Sequence, residues 1–426
     1  MKLVISNGRV IDPSQDIDAV MDVIVTDGVI TALGTDPNSG DTPDETIDAS
    51  GMVVTPGLID MHTHLREPGF EYKETIQSGS AAAVAGGFTS IACMANTDPV
   101  NDTRSVTEFI VQKARAAGKA HVYPVAAVSR GLEGVVLAEF GDLKEAGAVA
   151  FSDDGNPVID SGLMRRAVEY AASLNTCVIS HCEDRGLSAG GLMNESLVST
   201  RLGITGIPSI AEDIMVARDI ALAEYTGAPI HIAHVSTAGA VALIDAAKSR
   251  GVNVTAETAP HYFTLSDIAV EHFSTNTKMY PPLRSSGDVK AVKEGLKTGV
   301  IDAIASDHAP HSSIEKDLEF EYAANGIIGL ETSLALSLAL VTDGILSMKQ
   351  LVSLMSTNPA RILKIPKGTL ATGADADITI IDAAASWTID PADFKSKSRN
   401  CPFTGLTVTG KAVMTIVDGR TVFRAF

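Results

Sequence analysis

Two histidines one residue apart, His62 and His64, follow the apolar pair Leu58-Ile59 and so close a short strand pattern. Alternate residues of a strand point to one face, which lets both imidazoles converge on one point. Imidazole suits zinc and similar divalent ions. The same placement recurs. Residues 148–151 run into Ser152-Asp153-Asp154-Gly155, residues 177–180 into His181, residues 230–233 into His234, and residues 301–305 into Ser306-Asp307-His308. Chance does not put His or Asp at that many strand ends in a chain with only 10 histidines. Four neutral imidazoles with carboxylates exceed what one catalytic zinc takes, about three protein ligands and an open position. Two metals sharing a bridging carboxylate fit better. They would lower the pKa of water between them and leave one carboxylate free to shuttle a proton.

Other groups on the same lip favour an anionic substrate. Arg66 lies two residues after His64, and His311 follows the turn Ser306-Asp307-His308-Ala309-Pro310. Arginine grips a carboxylate at two points. The plainer readings are a surface ion pair for Arg66 and a satisfied loop imidazole for His311. The glycine-rich run Asn325-Gly326-Ile327-Ile328-Gly329-Leu330-Glu331 is open to two readings. It is either a mobile cover whose backbone touches the substrate or an ordinary βα loop.

Positioning these residues calls for repeated βα units. Strand patterns at 89–94, 122–126, 148–151, 177–180, 230–233, 252–256 and 301–305 alternate with helical patterns at 78–85, 105–117, 162–174, 210–225 and 238–249. This predicts a (β/α)₈ barrel, with a doubly wound sheet as the alternative. Functional residues at the C-terminal ends of strands agree with the barrel. The two ends of the chain read differently. Asn7-Gly8, Asp27-Gly28 and Asp418-Gly419 each separate apolar runs, a hairpin signal, and residues 377–382 alternate like a strand. The expected division is a composite β-sandwich from residues 1–54 and 358–426 around a catalytic barrel of residues 55–357.

Composition narrows the function further. The net charge of -19 disfavours nucleic acid and anionic membrane surfaces as partners. The apolar run at 334–341 is far short of the ~18 residues of a membrane span. Four cysteines without a CxxC pair suggest buried reduced thiols and a cytoplasmic protein.

The run Met61-His62-Thr63-His64-Leu65-Arg66-Glu67-Pro68-Gly69 closely resembles the HxHLREPG signature of dihydroorotases of the longer, bacterial class I type. Ser306-Asp307-His308-Ala309-Pro310-His311 resembles their second signature. Met94-Ala95-Asn96-Thr97, Phe151-Ser152-Asp153-Asp154-Gly155, His181-Cys182-Glu183-Asp184 and Asn358-Pro359-Ala360-Arg361 match in order along the chain. The resemblance implies an amidohydrolase barrel with two Zn²⁺ per subunit. It implies reversible conversion of N-carbamoyl-L-aspartate to dihydroorotate in pyrimidine synthesis. It implies that His62 and His64 hold one metal, His181 and His234 the other, and Asp154 bridges them, where related hydantoinases use a carboxylated lysine. Asp153, its neighbour, is the competing choice. Asp307 would ligate the first metal and carry the proton, while Arg66, Asn96 and His311 would hold the substrate carboxylate. Tyr280 departs from the asparagine usual before Pro-Pro-Leu-Arg, which puts that substrate contact in doubt. A homodimer is the implied assembly, with aspartate transcarbamoylase as a further partner. Hydantoinase, dihydropyrimidinase or allantoinase activity is the alternative within the fold, and a non-catalytic scaffold for the transcarbamoylase is the alternative outside it.

Overall fold

In the computed structural model, which describes residues 1–35 and 42–425, eight parallel strands form the barrel. They are Leu58–Thr63, Phe88–Cys93, His121–Ala126, Ala150–Phe151, Val178–Ser180, Ile230–Ile232, Val254–Thr258 and Ala303–Ile304. Each pairs in parallel with the next. The eighth and first meet through a parallel bridge between Thr63 and His308 and a 2.8 Å bond from His64 N to the His308 carbonyl. Asp60 reinforces this seam by accepting from Ser306 N at 3.1 Å and His62 N at 3.1 Å.

Helices Ile76–Ala85, Arg104–Ala117, Ser161–Ser173, Ile210–Thr226, Ala238–Ser249 and Ser286–Thr298 surround the strands. Their starts are written locally. Thr75, Asp160 and Thr237 accept from backbone N–H groups of the first turn, a cap typically contributing about 1 kcal/mol. Gly118 and Gly227 end their helices with φ of 59° and 69°, a conformation other residues resist. The barrel floor is a packed plug. Ile59, Met61, Ile179 and Ala303 meet Ala360, Ile362 and Leu363 from the helix Asn358–Leu363.

Both ends of the chain join one eight-stranded sheet, ordered 420–424, 407–417, 378–388, 53–56, 2–12, 17–26 and 29–34, with 45–48 also on 2–12. Leu3, Ile5, Val23, Ile378 and Ile416 share its core. Asp27-Gly28 and Asp418-Gly419 form hairpin turns as expected. Asn7-Gly8 does not. Residues Lys2–Asp12 are one strand, and Asn7, at φ 62°, sits in a bulge where the register against Ile17–Thr26 shifts. Asn-Gly suits left-handed backbone, and a bulge uses that freedom as readily as a turn does. Strand Val53–Pro56 passes through Gly57 into the first barrel strand. A Cβ at Gly57 would lie 2.0 Å from Thr89 Oγ1, so sheet and barrel approach closely there. No helix among the described residues is long and apolar enough to cross a membrane, and all four cysteines are buried and free.

Candidate active site

The strand ends deliver their residues to one pocket of about 240 Å³ lined by His64, Arg66, Asn96, Asp154, His181, Tyr280, Asp307, His311, Asn325 and Gly326. Asp154 is its pivot. One carboxylate oxygen lies 3.1 Å from His234 Nε2 and 3.3 Å from His181 Nδ1. The other lies 3.3 Å from His62 Nε2 and 3.5 Å from His64 Nε2. Asp307 Oδ1 faces the second pair, at 3.2 Å from His64 Nε2 and 3.5 Å from His62 Nε2. Three of the site residues adopt left-handed backbone: Arg66 at φ 63°, His234 at 36° and Asp307 at 48°. Such conformations cost of order 1–3 kcal/mol each and persist where the surroundings hold them.

This donor set fits metal ions. Ligand atoms about 2.0–2.2 Å from a tetrahedral ion lie roughly 3.4 Å from one another. The Asp154–imidazole spacings of 3.1–3.5 Å match that figure, although His181 Nδ1 and His234 Nε2 stand only 2.8 Å apart, and the residues fall into two triads, His62–His64–Asp154 and Asp154–His181–His234. Among the described residues His62 Nε2 is buried and, although 3.3 Å from Asp154, makes no well-aligned hydrogen bond, a costly state for a polar atom that nothing coordinates. Electrostatics point the same way. Burial opposes charge on His62, yet Asp154, Asp307 and Glu257 raise its pKa well above the usual range. Burial likewise opposes charge on Asp154, but His62 leads the imidazoles that depress its pKa. The cluster favours a cation.

Asp153 turns away. Its carboxylate accepts from Val128 N at 2.8 Å and Ser129 N at 2.9 Å, and burial lifts it to about 6. Adjacent residues at a strand end face opposite ways, so only Asp154 reaches the histidines. Asn96 lines the pocket, while its side-chain oxygen contacts His64 Nδ1 at 2.8 Å; from there it orients the His64 ring. Arg66 is buried and forms no ion pair among the described residues. Its Nε donates to the Pro310 carbonyl at 3.1 Å, and Nη2 meets His311 Nε2 at 3.4 Å. Burial and Arg66 push His311 down to about 3, so its ring is neutral and can accept that bond. Tyr280 donates its hydroxyl to Glu183 Oε1 and stacks along His181 with ring centroids 6.3 Å apart. Gly326 belongs to the wall and is no free flap. Gly326 N bonds the Lys278 carbonyl at 2.9 Å, and the Ile327 carbonyl accepts from Ala309 N at 2.9 Å.

Sequence reasoning missed the supporting groups. Glu257 Oε1 lies 2.6 Å from His62 Nδ1 and its other oxygen 3.4 Å from His231. This carboxylate fixes the imidazole so that Nε2 faces the cluster. Glu257 sits near the end of the seventh barrel strand; the strand-end rule finds it once that strand is extended past 256. Glu183, 3.4 Å from His181 Nε2, lies within a matched motif but carried no role.

Fold and site together define an amidohydrolase: a barrel with strand-end histidines and acids, flanked by a sheet from both termini. Solved structures similar in fold include an L-hydantoinase (dihydropyrimidinase) from Arthrobacter aurescens, with TM-score 0.89, 28% identity and coverage of 99% of this chain and 96% of that one. A dihydropyrimidinase from Brevibacillus agri NCHU1002 follows at TM-score 0.85 and 27% identity, covering 100% and 95%. The Amidohydrolase family model matches residues 205–423, and the Dihydro-orotase-like model matches 51–240. Dihydroorotase of Syntrophus aciditrophicus is 62% identical over 426 residues, and that of Geobacter metallireducens 58% over 424, each covering 100% of both chains. The chain belongs to the dihydroorotase family and is an enzyme.

Proposed function

We propose that this enzyme interconverts N-carbamoyl-L-aspartate and (S)-dihydroorotate, a ring closure of pyrimidine synthesis. The observation that carries the substrate is Arg66, a buried guanidinium that has no carboxylate partner among the described residues and lies beside the His/Asp cluster. A buried charge needs an opposite charge, and a substrate carboxylate supplies it in two-point geometry. Aspartate at position 154, where the resemblance puts carboxylated lysine in hydantoinases, favours the same reading.

His62, His64 and Asp307 would hold one zinc ion and His181 and His234 another, with Asp154 between them. Such ions supply Lewis acidity toward a carbonyl and bring the pKa of water toward neutrality. Arg66, His311 and the Asn96 amide orient the carboxylate, so that the ring amide faces Asp307. Asp307 takes a proton from the attacking water and delivers it to the departing ring nitrogen. In the closing direction it returns that proton. Closure turns a carboxylate into an amide and consumes one proton, so lower pH favours the ring by mass action. The barrel of residues 55–357 performs the chemistry, with residues 1–54 and 358–426 bracing it. A homodimer in the cytoplasm completes the proposal, and aspartate transcarbamoylase is a further candidate partner.

Hydantoinase activity is the second reading, resting on the fold similarity and on Tyr280 against His181, with the 62% identity to a dihydroorotase weighing against it. The deciding experiment is turnover of L-dihydroorotate, hydantoin, dihydrouracil and allantoin by one zinc-loaded preparation. Strong preference for dihydroorotate is expected. Preference for an uncharged ring would overturn the carboxylate role of Arg66, and failure on all four would overturn cyclic amide hydrolysis.

A further inference from the structure

Asn400 lies 89 residues beyond His311, yet its side chain is buried against the pocket wall. Its oxygen accepts from His311 N at 3.2 Å, and its amide nitrogen donates to the Ala309 carbonyl at 2.9 Å and the Gly326 carbonyl at 3.0 Å. All three partners line the pocket. Its own carbonyl accepts from Ile328 N at 3.1 Å. One amide therefore joins the loop after the eighth barrel strand to the glycine-rich segment that faces it.

The junction has little slack. The Gly326 carbonyl takes a second bond from the buried Lys316 Nζ at 3.1 Å, which uses both its lone pairs. A Cβ at Gly326, whose φ is 152°, would meet the Ala309 carbonyl and His311 Cδ2 at 2.7 Å. The two loops thus touch backbone to backbone, joined at one point by the Ala309 N to Ile327 carbonyl bond, and the Asn400 amide adds the ties at Ala309, His311 and Gly326. Without it, two carbonyls lose a donor and the His311 N–H loses its acceptor, so the loops must move apart to reach water.

We propose that Asn400 is a positioning residue for the carboxylate-binding wall, acting through His311 and Gly326 on substrate affinity. The proposal rests on the assignment of His311 to the substrate carboxylate. It predicts a loss in binding with little loss in chemistry, because His62, His64, Asp154, His181 and His234 hang from strand ends that Asn400 does not touch, and Asp307 is held by the bridge of its neighbour His308 to Thr63. The neighbouring 394–401 segment supports this bracing role: Ser396 Oγ donates to Glu74, whose carboxylate lies 3.4 Å from His308 Nε2.

The test is steady-state kinetics on L-dihydroorotate with zinc-loaded Asn400→Ala, Asn400→Asp and His311→Ala proteins, with metal content and melting temperature measured on each. Asn400→Asp keeps the shape and the acceptor for His311 N but aims an oxygen at two carbonyls, and it carries the decision if the alanine variant does not fold. Both Asn400 variants are expected to raise KM about tenfold, the worth of one or two net hydrogen bonds, at nearly unchanged kcat and metal content. In the His311→Ala background, Asn400→Ala should add far less than it does alone, because both act on one wall. If His311→Ala raises KM and the Asn400 variants do not, the positioning role is overturned while the carboxylate reading stands. If His311→Ala leaves KM unchanged, the carboxylate reading itself falls. Equal losses in kcat and metal content across the Asn400 variants would also overturn the proposal, since they mark general disruption.

Discussion

The two halves of the pocket are built on different plans. The half that holds His62, His64, Asp154, His181 and His234 hangs from the ends of four barrel strands, His62 and His64 sharing the first and every residue lying in its strand or within three positions of it. The half that holds Arg66, His311 and Gly326 is made of loops fastened to one another by Lys316 and by Asn400 from the far end of the chain. Strands in a hydrogen-bonded barrel fix positions relative to each other, so the first half needs only correct register. Loops lack that frame, and the second half adds side chains reaching backbone groups to its few backbone bonds, Ala309 N to the Ile327 carbonyl and Gly326 N to the Lys278 carbonyl. A rigid half suits metal ligation, where donor spacings tolerate little error. A fastened half can be loosened by single changes without dismantling the fold.

Four experiments press on this difference, from the largest expected effect to the smallest. Asp154→Ala removes the group shared by both triads; metal content should collapse and kcat should fall by about three orders of magnitude or more. Near-normal activity with both metals retained would break the claim that this half works as one unit. Asp307→Ala should lower kcat roughly 10²–10⁴-fold, the range for a positioned acid–base group, while elemental analysis shows metal still bound through the remaining donors. Near-normal turnover with metal in place would remove Asp307 from proton transfer. Glu257→Gln should weaken metal affinity about 10–100-fold, read by titration with a chelator, because His62 loses the carboxylate that orients it. An unchanged affinity would mean that the strand alone orients His62.

The smallest effect probes the loop half. Burial, with Lys278 adding to it, pushes Lys316 down to about 7. The folded protein then binds fewer protons than the unfolded chain between about pH 7 and the usual lysine range near 10, so its contribution makes stability rise with pH across that window. Lys316→Met should flatten the rise in melting temperature over that interval relative to the unaltered protein. An identical slope in both proteins would show that Lys316 keeps its charge where it sits.

What the sequence by itself determined is the half built on strand ends. The alternation of β and α patterns and the placement of His62, His64, His181, His234 and Asp307 are local signals, since a strand points its last residues in a direction set by its own backbone. The amphiphilic ends also read locally as a sheet, although Asn7-Gly8 became a bulge because its backbone preference serves a turn or a bulge equally. Tertiary structure alone decided the rest. It supplied the physical reason for Asp154 over Asp153, a choice the resemblance makes by motif position alone, because only the barrel defines which face is inward. It set Glu257 under His62 across 195 residues and brought Asn400 onto the wall beside His311. These contacts join segments far apart in the chain, and no local pattern encodes a partner whose position exists only once the barrel has closed.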